Sequence, residues 1–148
     1  MSAGARQLRS LFAAAALASV TAGCGKFQQV RECGTFVKTV NRWLANPAPA
    51  QAGTSTDPKQ IAIEARRTAE HYAELSRTLT GLHIQGEELA PRVKRYEAIA
   101  DEAARTLREV ADALDQGKLE QARKKRVDFD TVARLEAPLV KEINGVCR

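Results

Sequence analysis

Apolar residues recur along this chain at spacings of three and four, the period of one face of an α-helix, and four such stripes can be traced. The first covers about 27–44 through Cys33, Phe36, Val37, Val40 and Leu44, with Trp43 at its flank. Asn46-Pro47 ends it, because the residue before a proline is pushed out of the helical region. The second, about 58–81, carries Ile61, Ala65, Thr68 or Ala69, Tyr72, Leu75, Leu79 and Leu82. The third, about 87–116, repeats most strictly through Leu89, Val93, Tyr96, Ala100, Ala103, Leu107, Val110 and Leu114. The fourth, about 118–144, carries Leu119, Ala122, Phe129, Val132 or Ala133, Leu135 or Glu136, Leu139 or Val140, and Ile143. Pro138 within it predicts a kink, or a break into two pieces near Leu135.

The residues between the stripes are turn and cap chemistry. Residues 47–56 read as a flexible, proline-started linker, and Asp57-Pro58 as a restart in which Asp57 or Thr56 caps and Pro58 fits the first turn. Gly81 and Gly86 bracket a turn through His83 and Ile84, Gln116-Gly117 supplies a stop, and Asn144-Gly145 is expected to end the last helix. Short turns make the later helices antiparallel neighbours, and the linker lets the first return beside them. Few aromatics and abundant alanine favour close-packed helices over a sheet. The expectation is an all-α chain, an antiparallel up-down-up-down four-helix bundle with its fourth helix kinked near Pro138.

The first two dozen residues follow another logic. Arg6 and Arg9 precede the apolar run from Leu11 to Val20, which is about half the length that a bilayer-spanning helix needs. A secretory signal peptide fits that length. Thr21-Ala22-Gly23-Cys24 resembles the lipobox of bacterial lipoprotein precursors, in which small residues fit the signal peptidase and the cysteine becomes the acylated N-terminus. The resemblance implies removal of residues 1–23, attachment of acyl and diacylglycerol chains to Cys24, and a membrane-anchored domain from 24 to 148. An ordinary signal peptide cut near Ala22 or Gly23 would instead leave Cys24 as a plain thiol. Gly25 stands where an aspartate would mark inner-membrane retention, so the outer membrane is favoured in a host with two membranes.

Three cysteines are an odd number for an exported protein. With Cys24 given to lipid, Cys33 and Cys147 remain as a pair for a disulfide in an oxidising envelope, the alternative being two unpaired buried thiols. In the expected bundle the start of helix one and the end of helix four share one end, where the pair would meet. Loss of residues 1–23 removes two arginines and no acid, so the formal charge falls from +5 to +3. One domain's worth of chain remains.

Candidate chemistry is sparse. Two histidines, His71 and His83, give little scope for a nucleophilic triad, and neither follows a glutamate at the spacing of di-iron bundles, since Thr68 and Thr80 stand there. No metal ligand set, glycine-rich phosphate loop or haem-attachment motif is found, so no cofactor beyond the lipid at Cys24 and no catalytic residue are expected. His71 and Trp43 read as flank-of-core residues, and the carboxylates, interleaved with bases, as solvated faces. The best surface candidate is Arg123-Lys124-Lys125-Arg126 with Lys118 nearby, as a contact for anionic headgroups, an anionic envelope polymer or an acidic envelope protein. Balanced by Glu120, Asp128 and Asp130, the same run is also an ordinary solvated face. Nucleic acid is not an expected partner, because the aromatic stacking residues that single strands demand are missing. Two functions follow: a non-enzymatic envelope lipoprotein that binds or scaffolds another component, and a small-ligand or metal-binding bundle with a polar pocket near His71, Tyr72 and Tyr96.

Overall fold

The computed structural model describes residues 20–46 and 55–148, with side chains from Gly25 onward. The expected signal peptide up to residue 19, the side chain of Cys24, and the linker from 47 to 54 lie outside the described residues. Among the described residues every regular element is a helix: α1 (Val20–Ala45), α2 (Pro58–Thr80), α3 (Ala90–Asp115), α4 (Leu119–Ala133) and α5 (Glu136–Val146).

Local chemistry accounts for the helix ends. The Asp57 carboxylate accepts the Lys59 N–H at 3.0 Å, and Pro58 opens α2 where a missing N–H costs nothing. α3 starts at Ala90, later than the expected 87, and this puts Pro91 in its first turn. Gly117 takes φ +69°, the left-handed conformation that glycine adopts without strain, and the Lys118 N–H returns to the Ala113 carbonyl at 2.8 Å.

The segment over 118–144, expected to kink or to break into two pieces near Leu135, is two helices separated at Arg134 and Leu135. A proline removes its own N–H bond and its ring crowds the carbonyl four residues earlier, here that of Arg134. Restarting the chain at Glu136 places Pro138 in the first turn of α5, where neither cost applies. Asn144-Gly145 does not end the last helix, which runs on to Val146.

α3 is the hub, packing against α2, α4 and α5, while α1 packs mainly on α2. One core cluster joins Cys33 and Phe36 of α1, Leu75 and Leu79 of α2, Leu89, Val93 and Tyr96 around the start of α3, and Leu139 and Ile143 of α5. A second is built from small residues, Ala62, Ala65 and Ala69 of α2, against Leu107, Val110 and Ala111 of α3. Alanine there lets the two backbones approach closely, so fit takes the place of large side chains. The strict repeat read on the third segment matches this burial, with Val93, Tyr96, Ala100, Ala103, Leu107 and Val110 all buried.

The first stripe is corrected in part. Cys33 and Phe36 are buried, but Val37 is 38% and Leu44 56% exposed. α1 carries two apolar stripes, and only the one through Cys33, Phe36, Val40 and Trp43 faces the core. The buried polar residue on this helix is Glu32. Its carboxylate accepts the N–H groups of Gln85 at 3.2 Å and Gly86 at 2.9 Å, pinning α1 to the turn between α2 and α3.

Candidate functional site

The sulfurs of Cys33 and Cys147 lie at bonding distance, 2.03 Å, with their Cα atoms 5.6 Å apart and a sequence separation of 114. Cys33 sits in the core and Cys147 caps α5, so the link ties α1 to the end of the chain. Beside it the Gln29 side-chain amide donates to the Val146 carbonyl at 2.9 Å, a second tie between the same two segments. The backbone of the tetrad from Thr21 to Cys24 is helical and continuous with α1.

His71 projects from α2 onto Trp43 of α1. The rings stack with centroids 4.5 Å apart, and the indole Nε1 donates to the His71 carbonyl at 3.0 Å. Burial against the indole pushes the imidazole below its ordinary value of 6.5, with the nearby charge of Glu74 partly opposing. This pair borders a cleft of about 410 Å³ lined also by Arg42, Asn46, Glu74 and Thr78.

The pocket expected around His71, Tyr72 and Tyr96 is corrected by this geometry. His71 borders the cleft, whereas the two tyrosines do not. Tyr72 is packed between Trp43, at 5.4 Å between centroids, and Phe129, at 6.0 Å. Tyr96 is 2% exposed, edge-on to Phe36, and its hydroxyl donates to the Glu136 carboxylate. Burial, with that bond and the charge of Glu136, raises the phenol far above its usual value, so Tyr96 is a neutral hydrogen-bond donor and not an acid/base group. Its partner is the reason a polar ring fits this core.

The basic run on α4 is largely paired within the chain. Arg123 meets Glu120 at 2.8 Å, Lys125 meets Glu109 of α3 at 2.6 Å, and Arg126 meets Asp130 at 3.4 Å while its guanidinium lies 5.8 Å from the Phe129 ring centre. Lys118 and Lys124 have no ion-pair partner among the described residues. No three His, Cys, Asp or Glu side chains among the described residues are grouped to hold a metal, and none of the described helices is long and apolar enough to cross a membrane.

Comparison of the chain with known protein families, with curated proteins and with solved structures finds no match.

Two features escaped the sequence reading. Glu32 looked like one more helical carboxylate, although it is the sole acid in α1 and that was its signal. The second apolar stripe of α1, through Phe27, Val30, Val37 and Leu44, interleaves with the core row, and helical spacing alone places Val37 and Leu44 on either.

Proposed function

We propose that this chain is a non-enzymatic envelope lipoprotein: residues 1–23 are removed, Cys24 is acylated, and residues 24–148 form a bundle that binds or scaffolds another envelope component at the membrane. The observation that carries the reading is the approach of Cys33 to Cys147. It uses two of the three cysteines and leaves the one that ends the small-residue tetrad after the apolar leader. A single acyl chain is marginal as an anchor, while two or more hold a protein stably, at about 0.8 kcal/mol per buried methylene.

The order of cross-helix contacts supports an up-down-up-down course. Arg66 pairs with Asp112 and Asp115, Arg108 with Glu70, and Thr80 with Glu97, so α2 and α3 run in opposite senses. Lys125 with Glu109, Tyr96 with Glu136, and Arg95 with Glu142 carry α4 and α5 back along α3. The start of the mature chain and its C-terminus then share one end, which keeps the bundle close to its anchor.

Metabolic labelling with an alkyne fatty acid in a bacterial host tests the anchor. The wild-type chain takes up label and fractionates with membranes, and Cys24→Ser abolishes both. Equal labelling of the two would refute it. Crosslinking in intact cells tests the scaffold role, which requires a reproducible partner across the bundle surface.

The cleft beside Trp43 and His71 favours a second reading, a small-ligand module, since its volume falls within the range of ligand sites. Trp43 is the sole tryptophan, so its fluorescence reports occupancy directly. Titration with metals, haem and lipids that changes neither the emission nor the melting temperature would end this reading.

A further inference from the structure

We propose that the outward face of α1 is a membrane-interface surface that lies against anionic lipid headgroups. Phe27, Val30, Val37 and Leu44 are 73, 71, 38 and 56% exposed. With Gly34 and Asn41 between them, they follow each other at intervals of three and four, so they form one stripe about 25 Å long on an exposed flank of the helix, beside the row that faces the core. Exposed apolar side chains in such a row mark a contact surface.

Charge decides what covers it. Lys26, Arg31, Lys38 and Arg42 are exposed on the same helix, and none has an ion-pair partner among the described residues. The one acid of α1, Glu32, is turned inward, where its carboxylate accepts the Gly86 N–H, so the outer face of the helix carries no acid of its own. On the helical wheel Arg31 and Lys38 fall along one margin of the apolar stripe, Arg42 lies further round toward the cleft at Trp43, and Lys26 lies at the N-terminal end of the stripe. A second copy of this chain laid on the stripe would bring bases against bases, so a helix dimer is disfavoured. An apolar row flanked only by bases is the pattern of helices that lie in the headgroup layer of acidic membranes. The N-terminal end of the row is three residues from Cys24.

The proposal takes from the lipoprotein reading only the nearness of a membrane, because the contact itself needs no acyl chain. Every residue of both core clusters stands at Cys33 or later, so a chain starting at Gly25 keeps the whole core and carries no lipid and no leader. Cosedimentation of that chain with phosphatidylglycerol vesicles and with phosphatidylcholine vesicles tests the surface apart from the anchor. Binding to the first, weak binding to the second, and release by salt are expected. Glutamine at Lys26, Arg31, Lys38 and Arg42 weakens binding by about fivefold per base at low salt. Serine at Phe27, Val30 and Leu44 weakens what survives at higher salt, while Arg123→Gln with Lys124→Gln on α4 changes little. Circular dichroism checks that each variant stays helical, and salt release of the unaltered chain stands without any variant. Failure of the unaltered chain to bind phosphatidylglycerol vesicles, loss of binding in the α4 variant alone, or a lipid-free dimer abolished by the serine changes would overturn the proposal. None of these outcomes bears on fatty-acid labelling at Cys24, so the two readings fail separately.

Discussion

The Glu32 carboxylate on α1 accepts the Gly86 amide at 2.9 Å across 54 residues of chain, which makes a buried acid the latch between the first helix and the α2–α3 turn. Burial pushes the Glu32 carboxyl up, but the Gln28 amide, the Gly86 and Gln85 N–H groups and the charge of Arg31 together outweigh it and hold the group below the ordinary 4.5. A carboxyl depressed in the folded state stabilises the fold above its unfolded value, and that contribution fades as pH falls through the folded value. Glu32→Gln therefore lowers stability by about 2 kcal/mol near neutrality. The deficit narrows below pH 4.5 in denaturant titrations of the two proteins. Gly86→Ala acts on the same latch, because its Cβ would stand 2.9 Å from the Glu32 Oε2 and force the carboxylate away.

The Cys33 to Cys147 link closes nearly the whole described chain. At a sequence separation of 114, the loop-closure model assigns it about 4–5 kcal/mol through the unfolded state. Reduction, or Cys33→Ser with Cys147→Ser, is expected to lower the urea midpoint by a corresponding amount. α1 should lose amide-exchange protection first, since it depends most on this tie, on Gln29 and on Glu32.

His71 is expected to titrate below 6.5 when followed by NMR of its ring protons. Protonation places a charge in a half-buried site where it loses hydration, so the unfolded chain binds the proton more readily. Its contribution to stability is thus present above the unfolded value and declines on acidification through the folded value. Trp43→Ala exposes the imidazole and returns its titration toward 6.5.

His83 has φ +49° in the exposed turn between α2 and α3, a conformation that costs an ordinary L-residue. His83→Gly is expected to stabilise the chain by up to about 1 kcal/mol, read as a rise in melting temperature.

Helix existence and the α3 seam were legible because Val93, Tyr96, Ala100, Ala103, Leu107 and Val110 repeat without a competing pattern. α1 was only half legible. Its outward apolar row and inward row interleave, and sequence spacing alone does not separate a core face from a contact face on one helix. The division at Arg134 and Leu135 was foreshadowed by Pro138, but which residues absorb it depends on where Leu139 must enter the core. The tyrosines were misjudged for a related reason. A polar tip suggests a pocket in sequence, yet Tyr96 spends its hydroxyl on Glu136, a partner 40 residues away.

The central claim, a lipid on Cys24 with Cys33 and Cys147 paired, is tested most directly by the intact mass of the mature protein with and without reductant. The account predicts the mass of residues 24–148 plus acyl chains, with a gain of two hydrogen atoms on reduction. A mass without acyl chains and a free thiol at Cys24 would contradict it.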